Sequence, residues 1–304
     1  MTTLKARVCL VDASLYIFRA YHALPPDWRD REGWPTQAAQ GFASFLLQLL
    51  EHSKPIYLGV CFDTALGSCF RKEIYPAYKA NREPPDEALL RQFAHCQAIA
   101  QHLGLSGHAH TRFEADDLIG SLATLAHQHG HSVLLISADK DLTQLLKDGD
   151  EQWDFGRDRR YDGAAVVERF GVRPQQMVDL LALAGDPVDN IPGVKGVGLV
   201  SAAKLLRHFG TLDELYKRVD EVGFLRMRGA KALQARLTEQ REHAFLSRQL
   251  TQIHCGAPVP KELGALRPQQ PDLAALNALF DELGFGPFLR RRAEAINERF
   301  LGRR

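Results

Sequence analysis

The sequence lacks a long apolar run: no stretch approaches the ~20 uninterrupted apolar residues that a membrane-spanning helix requires. Its first apolar run, Val8–Val11, follows basic residues but ends at Asp12, too early for the hydrophobic segment of a secretory signal. No long internal repeat or low-complexity tract is present. We therefore expect a cytoplasmic protein with no membrane partner, and we interpret the first run as a β-strand.

Cysteine is also scarce, with five residues scattered along the chain and no CxxC pair. The five are Cys9, Cys61, Cys69, Cys96 and Cys255. This odd and dispersed set supports neither a zinc site nor a disulfide framework. We expect reduced thiols, several of them in apolar runs where cysteine behaves as a small hydrophobic residue.

A strong excess of charge is absent, since the formal net charge of the 304 residues is only +1. Bulk charge therefore does not indicate a nucleic-acid partner, and the placement of the charges is more informative. The acids concentrate at a few predicted strand ends, whereas the bases form local stripes. The length and the 45% hydrophobic, 25% charged composition are ordinary for a folded chain of one or two domains.

Short aliphatic runs alternate with helical patterns in the first half of the chain, which predicts βαβ units and a Rossmann-like α/β fold with a mostly parallel sheet. The clearest predicted strands are Val8–Val11, Ile56–Phe62 and Val133–Ile136. The clearest predicted helices are Gln37–Leu50, Leu89–His102 and Ala115–Gln128.

The pattern changes from about Phe170 onward to short helices joined by Gly/Pro turns, as in MVDLLALAGDPVDNIPGVKGVGLVSAAKLLRHFG. Two helices around such a turn are typical of a helix-hairpin-helix element. The Pro-rich stretch Cys255–Asp272 is interpreted as a connector. It leads to a final helical segment, Leu273–Phe300, which contains the basic run Arg290–Arg292.

Aspartates stand where predicted strands end. Asp12 and Asp63 follow their strands directly, and Asp139 follows its strand after two small residues, with Asp141 close behind. Ligand sites in open α/β sheets form beyond the carboxyl ends of the strands, so we expect these side chains to converge at one edge. Taken singly, each acid is also explained as a turn residue or helix cap, and Thr111 with Glu114 fits a capping box.

Nine acids taken together favour a metal site. They are Asp12, Asp63, Glu114, Asp116, Asp117, Asp139, Asp141, Asp186 and Asp189. Close like charges repel by about 4 kcal/mol at 4 Å and intermediate dielectric, and divalent cations are the usual way to offset that cost. All-oxygen ligation favours Mg²⁺ or Mn²⁺, and two such ions roughly 3.5–4 Å apart suit phosphodiester hydrolysis.

The motifs themselves resemble a known family. The segments that carry the resemblance are LVDAS, VCFD, FRKEIYPAYKANR, EADDLIGSLA, ISADKDLTQLL, GDPVDNIPGVKGVG and FDELGFGPFL, in that order over about residues 7–290. They are similar to the 5′-nuclease family, which includes the 5′→3′ exonuclease domain of bacterial DNA polymerase I, phage 5′-exonucleases and flap endonucleases. The resemblance implies a PIN-like sheet, a helical arch and a C-terminal helix-hairpin-helix portion that binds DNA.

The same resemblance implies a metal-binding role for all nine acids. Asp12, Asp63, Glu114, Asp116 and Asp117 would serve one Mg²⁺ or Mn²⁺ ion. Asp139, Asp141, Asp186 and Asp189 would serve the second, partly through water. The chain departs from the family at Pro187, where a serine or similar residue is commoner.

A basic segment with interleaved tyrosines corresponds by resemblance to the arch, residues 67–92. Its Lys79 and Arg82 match the arch's two characteristic bases and would neutralise charge on the scissile phosphate. DNA contacts are also expected from Arg71, Lys72 and Tyr78 in this segment and from Arg19, seven residues after Asp12. A solvated surface loop with chance bases is the alternative interpretation.

The Gly/Pro turn resembles the family's duplex-gripping hairpin, in which glycines let the DNA backbone approach closely. A dinucleotide loop is a poor alternative because no strand precedes it, and an ordinary interhelical turn remains open. The expected DNA-contacting residues are Gly193, Lys195, Gly196, Gly198 and Lys204. The carbonyls that would hold a K⁺ ion, as the resemblance implies, are those of Leu183, Ala184, Pro192, Val194 and Val197.

We thus expect a catalytic domain over residues 1–172, a helix-hairpin-helix domain over 173–260 and a helical extension over 261–304. The expected protein is a stand-alone, monomeric bacterial 5′→3′ exonuclease or flap endonuclease, associated with the nucleoid and with DNA replication or repair. Its substrates would be DNA 5′ ends, flaps or junctions. A non-catalytic binder of DNA junctions and a ribonuclease are the alternatives.

Overall fold

The computed structural model describes residues 6–65 and 68–301. The residues outside this description include Gly67, the first residue of the predicted arch, together with the start of the first predicted domain and the end of the third. The strands are β1 (Arg7–Asp12), β2 (Tyr57–Phe62), β3 (Ser106–Ala109), β4 (Ser132–Ile136), β5 (Glu151–Asp154) and β6 (Arg159–Tyr161).

The α-helices are numbered separately from the strands and interleave with them along the chain. In order they are α1 (Ala13–Ala23), α2 (Gln37–Ser53), α3 (Phe70–Ile74), α4 (Glu87–His102), α5 (Ala115–Gln128), α6 (Gly163–Phe170), α7 (Met177–Ala184), α8 (Leu199–Phe209), α9 (Leu212–Lys217), α10 (Ala230–Glu239), α11 (Arg241–Thr251), α12 (Leu273–Glu282) and α13 (Pro287–Leu301). Short 3₁₀ turns include Asp141–Leu145 and Val219–Phe224.

The chain divides into two compact units that are not consecutive in sequence. The first unit comprises residues 1–67, 84–138 and 254–304, and the second comprises residues 68–83 and 139–253. Residues 68–83 of the basic segment and the four predicted metal-binding acids from Asp139 to Asp189 therefore belong to the second unit, whereas residues 84–92 and the C-terminal helices belong to the first. The three consecutive domains expected from the sequence divide the chain differently and stay a proposal.

The first unit is built on four parallel strands in the order β3-β2-β1-β4. Val8, Leu10 and Val11 of β1 are fully buried, because a central parallel strand is covered on both faces. Helix α5 is buried over most of its surface, with Leu118, Ile119 and Leu122 among its buried apolar side chains. The parallel pairing of these four strands confirms the predicted mostly parallel sheet.

The predicted strands and helices of the first half all correspond to observed elements. Their ends differ by at most three residues, as where α2 continues to Ser53 rather than ending at Leu50. The predicted elements did not include α1, β3 or the antiparallel strands β5 and β6 of the second unit. The sequence of β3, SGHA, contains no β-branched residue, so it carries no strand signal.

The C-terminal segment of the first unit contains two helices where the sequence predicted one. Helix α12 ends at Glu282 and α13 begins at Pro287, with Gly284 between them at a φ of 71°. Gly284 must be glycine, because a Cβ there would lie 2.7 Å from the Arg29 carbonyl oxygen. No helix among residues 6–65 and 68–301 is long and apolar enough to cross a membrane.

The second unit contains the predicted helix-hairpin-helix, formed by α7, the turn after it and α8. Two glycines let the turn close, since a Cβ on Gly193 would lie 2.3 Å from the main-chain nitrogen of Gly185. Gly185 and Gly193 both have positive φ, 71° and 60°. The Ser247 hydroxyl of α11 accepts the Gly193 N–H at 2.9 Å and ties the turn to the helical unit.

Candidate functional site

The first group of acids lies in the first unit, where Asp12 ends β1 and caps α1. Its Oδ1 accepts the Leu15 N–H at 3.2 Å, as expected of an aspartate N-cap. Its Oδ2 accepts a hydrogen bond at 2.9 Å from the hydroxyl of Ser137, the residue that follows β4. Because β1 and β4 are adjacent and parallel, this bond joins two strand ends at the carboxyl edge of the sheet.

Asp63 lies just beyond β2, and its N–H donates to the Ser14 hydroxyl at 2.7 Å. Cys61 of β2 is paired with Asp12 across the sheet. Burial and the charges of Asp12 and Asp116 raise the pKa of the Cys61 thiol well above its ordinary value. Asp12 and Asp116 are therefore both close enough to Cys61 to act on it, one from β1 and the other from α5.

Asp117 is completely buried at the start of α5, and the main chain occupies both of its oxygens. Oδ2 accepts the Glu114 N–H at 3.1 Å, and Oδ1 accepts the His254 N–H at 2.8 Å. The helix cap thus involves Glu114 and Asp117, and the expected capping box of Thr111 with Glu114 is wrong. Helix α5 begins at Ala115, so Glu114 is its N-cap residue and Asp117 is the third residue of the helix.

The second group of acids lies in the second unit, where Lys140 stands between two of them. Its Nζ lies 2.6 Å from Asp186 Oδ2 and 3.2 Å from Asp141 Oδ1. Asp139 Oδ1 accepts the Asp141 N–H at 2.9 Å, and its carbonyl accepts the Gln152 amide at 2.6 Å. These contacts hold Asp139, Asp141 and Asp186 around one ammonium group.

Burial and this ammonium group set the pKa values of the cluster. Burial and the Asp139 charge raise the pKa of the Asp141 carboxyl to about 7, although Lys140 opposes the shift. Burial alone would raise the pKa of Asp186, but the hydrogen bond and charge of Lys140 outweigh it and lower that pKa. Burial would lower the pKa of Lys140, but the charges of Asp141 and Asp186 raise it above its ordinary value.

Asp189 is held by residues of the basic segment. Lys79 Nζ lies 3.8 Å from Asp189 Oδ2, the Arg82 guanidinium contacts Oδ1, and the Tyr78 hydroxyl lies 3.5 Å from Oδ2. Lys79 has a left-handed φ of 53°, and its N–H donates to the Asp189 carbonyl at 2.9 Å. The two predicted catalytic bases therefore face an acid of the predicted second metal group.

The donor chemistry of the two groups suits hard divalent cations, because carboxylate oxygens are the ligands that Mg²⁺ and Mn²⁺ prefer. Asp141 Oδ1 is buried and accepts no hydrogen bond, although the Lys140 ammonium lies nearby. Within residues 6–65 and 68–301, no three His, Cys, Asp or Glu side chains are arranged to hold a metal ion. In the second unit, lysine and arginine offset the carboxylate charge that the sequence argument assigned to metal ions. Convergence of the two groups stays a prediction.

The other three residues of the basic segment that were predicted to contact DNA differ in their exposure to solvent. Arg71 is buried, with Nε donating to the Leu250 carbonyl at 2.8 Å and Nη2 to the Gln252 carbonyl at 3.0 Å. These bonds satisfy carbonyls at the end of α11, so a structural role accounts for Arg71. Tyr78 is buried and Lys72 is half-buried. The DNA contacts predicted for all three stay predictions.

The predicted arch is helical only near its two ends. Between α3, which ends at Ile74, and α4, which begins at Glu87, the described chain forms turns. Pro76, Pro84 and Pro85 explain the break, because proline lacks the N–H that a helix interior requires. Arg19, the basic residue predicted from α1, packs its guanidinium 5.5 Å from the Tyr16 ring centre.

The hairpin exposes several of the predicted DNA-contacting residues. Lys195, Gly196, Gly198 and Lys204 are exposed, whereas Gly193 is buried. The main-chain N–H of Lys195 donates to Gln240 Oε1 at 2.8 Å, which fixes the turn that carries this side chain. The exposed residues meet the steric requirement for contact with a duplex, and their role stays a prediction.

Two carbonyls of the predicted K⁺ set already accept hydrogen bonds within the hairpin. The Val194 N–H donates to Leu183 O at 2.9 Å, and the Val197 N–H donates to Val194 O at 2.9 Å. A carbonyl oxygen has a second lone pair, so these bonds leave room for a further interaction. The K⁺ assignment for Leu183, Ala184, Pro192, Val194 and Val197 stays a prediction.

Sequence reasoning missed four groups that position the acids: Ser14, Ser137, Lys140 and the His254 main chain. The first three stand inside the motifs VDAS and ISADKD, close to acids of the predicted site, which is the only signal they carry. Ser14 and Ser137 nevertheless contact acids of other motifs, Asp63 and Asp12. His254 lies more than 130 residues from Asp117, so no local pattern could indicate that contact.

Two family models match consecutive parts of the chain. The 5′-3′ exonuclease, N-terminal resolvase-like domain, matches residues 7–171, and the 5′-3′ exonuclease, C-terminal SAM fold, matches residues 172–274. DNA polymerase I of Pseudomonas aeruginosa is 41% identical over 286 residues, which cover 94% of this chain and 31% of that protein. DNA polymerase I of Rhizobium leguminosarum is 37% identical over 295 residues, covering 95% and 28%. The chain thus spans about a third of these relatives.

Solved structures share the fold at low identity. T5 5′-exonuclease, described with bound divalent metal ions (zinc), has a TM-score of 0.68 and 22% identity, covering 96% of this chain and 98% of that one. The catalytic core of Rad2 in complex with DNA substrate has a TM-score of 0.63 and 19% identity, covering 97% and 92%. At these identities the likeness concerns the fold.

Proposed function

The chain belongs to the 5′-3′ exonuclease family, and we propose that it is a metal-dependent nuclease that hydrolyses DNA phosphodiester bonds at or near 5′ ends, including 5′ flaps. The observation that carries the proposal is that all nine acids of the expected pattern are present within the two matched family regions. The matched T5 structure is described with divalent metal ions and the Rad2 core with a DNA substrate, which supports the same chemistry here.

In this proposal the acids would bind two Mg²⁺ or Mn²⁺ ions. Asp12, Asp63, Glu114, Asp116 and Asp117 form one group, and Asp139, Asp141, Asp186 and Asp189 form the other. The ions would supply activation of the attacking water and neutralisation of charge on the scissile phosphate. Two serines position acids of the first group: Ser14 of α1 accepts the Asp63 N–H, and Ser137 after β4 donates to Asp12.

Lys79 and Arg82 would exchange the Asp189 carboxylate for the phosphate of a bound strand. Both bases already carry an anionic partner, so the exchange replaces one ion pair with another. The Arg82 side chain is 48% exposed and can reorient without unpacking the unit. Stabilisation of developing phosphate charge by such bases is a large term in phosphoryl chemistry.

The exposed hairpin residues would grip duplex DNA beside the cut through sequence-independent phosphate contacts. A K⁺ ion at the hairpin carbonyls, a monomeric state, a location in the bacterial cytoplasm near the nucleoid, and a role in replication or repair complete the proposal. The division into domains over 1–172, 173–260 and 261–304 belongs to it as well.

The proposal is tested with the purified chain and a 5′-flap DNA, with Mg²⁺ and then with EDTA. Cleavage that requires Mg²⁺ and leaves a 5′-phosphate is expected. Asp116→Asn and Asp139→Asn should each lower the rate by about 10²-fold or more, on the order of the loss from removing an electrostatic catalytic group, while DNA binding persists. Asp148→Asn, at an exposed acid of the second unit, is the matched control and should cleave normally.

The same assay separates the alternatives. Binding of the flap without cleavage in any divalent metal would identify a non-catalytic junction binder. Faster cleavage of an RNA flap than of its DNA counterpart would identify a ribonuclease. Either result would refute the proposal as stated.

A further inference from the structure

Lys140 contacts two acids of the second predicted metal group, both in the second unit. Its Nζ lies 2.6 Å from Asp186 Oδ2 and 3.2 Å from Asp141 Oδ1, and it therefore bridges acids 45 residues apart in sequence. Its side chain is 33% exposed, whereas the side chains of Asp186 and Asp141 are 9% and 17% exposed. The carboxylates are fixed in the fold, and the lysine is the partner with access to solvent.

Cations offset carboxylate charge in the described contacts of this cluster. Three carboxylates, Asp141, Asp186 and Asp189, contact three cations, Lys79, Arg82 and Lys140. Asp139 is also close enough for its charge to act on Lys140. Lys79 and Arg82 both engage Asp189, so Lys140 is the basic side chain that pairs with Asp141 and Asp186 among the described contacts. The charge balance of that pair of acids depends on one flexible ammonium group.

We propose that Lys140 is a built-in counter-ion that occupies the Asp141–Asp186 pair and must withdraw before a divalent cation binds there. The inference rests on the proposed function, because it takes these acids as metal ligands. Repulsion between the ammonium, 2.6 Å from Asp186 Oδ2, and a divalent ion about 2.1 Å from the same oxygen disfavours their simultaneous binding, although the oxygen has lone pairs for both.

The chemistry of lysine suits this exchange. Its ammonium is a compact charge on a four-carbon stem with rotatable bonds, so it can leave the carboxylates without movement of the backbone. While it is in place, it offsets the repulsion between buried carboxylates and keeps them close together. Lys140 is thus a positioning residue that stabilises the metal-free cluster and lowers its affinity for metal ions.

The test compares Lys140→Met, Lys140→Arg and the exposed-lysine control Lys147→Met, using Mn²⁺ alone as the probe. Binding is measured from the electron paramagnetic resonance signal of unbound Mn²⁺, and thermal unfolding is followed in EDTA and in Mn²⁺. We expect Lys140→Met to bind Mn²⁺ about tenfold more tightly at one site, within the range of ordinary coupling between two ligands. Lys140→Arg and Lys147→Met should stay within about twofold of the wild-type affinity.

The unfolding temperature of Lys140→Met, with and without Mn²⁺, provides the second measurement. In EDTA, Lys140→Met should unfold at a lower temperature than wild type, because Asp141 and Asp186 lose their counter-ion. Saturating Mn²⁺ should raise its unfolding temperature by more than it raises that of wild type. Equal Mn²⁺ affinity, or weaker binding by Lys140→Met, would overturn the inference.

A measurement on the wild-type chain covers the case in which Lys140→Met does not fold. Reductive methylation of lysines, quantified by mass spectrometry with and without Mn²⁺, reports the accessibility of each ammonium. Mn²⁺ should increase the labelling rate of Lys140 severalfold and leave Lys147 unchanged. An unchanged Lys140 rate in a protein that binds Mn²⁺ would overturn the inference, whereas no Mn²⁺ binding at all would overturn the proposed function instead.

Discussion

The main-chain N–H of His254 donates to Asp117 Oδ1 at 2.8 Å, and the Glu114 N–H donates to Oδ2 of the same carboxylate. Asp117, predicted from the sequence as a metal ligand, therefore also joins the start of α5 to the segment that begins at His254. Both functions require a carboxylate, because a neutral amide offers only one acceptor oxygen to two donors.

Asp117→Asn is consequently expected to reduce stability as well as any metal-dependent activity. The substitution places an NH₂ group against a buried main-chain N–H, and the free energy of unfolding should fall by about 1–3 kcal/mol. Urea denaturation in EDTA measures this loss without any contribution from metal. Asp116→Asn, at the neighbouring half-buried acid, is the control and should change stability by less than about 1 kcal/mol. Equal stability of the two variants would contradict the bracing role.

Substitutions of Arg71 and its neighbour Lys72 can separate a structural role from a DNA-binding role. Arg71→Met removes the donors to the Leu250 and Gln252 carbonyls, so the free energy of unfolding should fall by about 2 kcal/mol or more. Lys72→Met should leave stability within about 1 kcal/mol of wild type. If Lys72 contacts a phosphate, its loss should also lower the slope of log affinity against log salt by about 1. A stable Arg71→Met variant with weakened DNA binding would reverse these assignments.

Alanine substitutions at two glycines of the hairpin are expected to differ in their cost to stability. Gly193→Ala places a Cβ 2.3 Å from the Gly185 nitrogen at a φ of 60°, so it should cost about 3 kcal/mol or more. Gly198→Ala meets nothing within 4 Å and has an ordinary negative φ, so its cost should stay under about 1 kcal/mol. Thermal unfolding compares the two variants. DNA binding by the well-folded Gly198→Ala then reports directly on close approach of the duplex.

His108 makes the stability of the first unit dependent on pH. Burial lowers the pKa of its imidazole from 6.5 to about 4, so the unfolded chain binds the proton more tightly than the folded one. Stability is therefore retained above about pH 6.5 and falls as the pH drops toward 4, by about 2 kcal/mol at pH 5. Urea titrations at pH 7 and pH 5 should show that His108→Gln lacks this loss.

The exposed His243 supplies the control for that experiment. His243→Gln should lose as much stability as wild type between the two pH values. If His108→Gln also loses as much as wild type, burial of the imidazole does not control the acid response.

Local sequence by itself determined the strands that carry Asp12 and Asp63, the helix that carries Asp116 and Asp117, and the Gly/Pro hairpin. These features follow from apolar periodicity and turn chemistry, which act between residues a few positions apart. The family motifs likewise lie within short segments. For these reasons the sheet and the hairpin could be predicted from the residues alone, whereas the metal-binding role of the nine acids stays a prediction.

Tertiary structure alone decided which groups hold those acids. Ser137 contacts Asp12 across 125 residues, and Lys140 contacts Asp186 across 46. Such contacts depend on how separate elements pack, and a residue's type does not indicate its distant partner. Arg71 shows the consequence: a base that the sequence placed at a DNA surface is buried, because its guanidinium satisfies carbonyls 179 and 181 residues away.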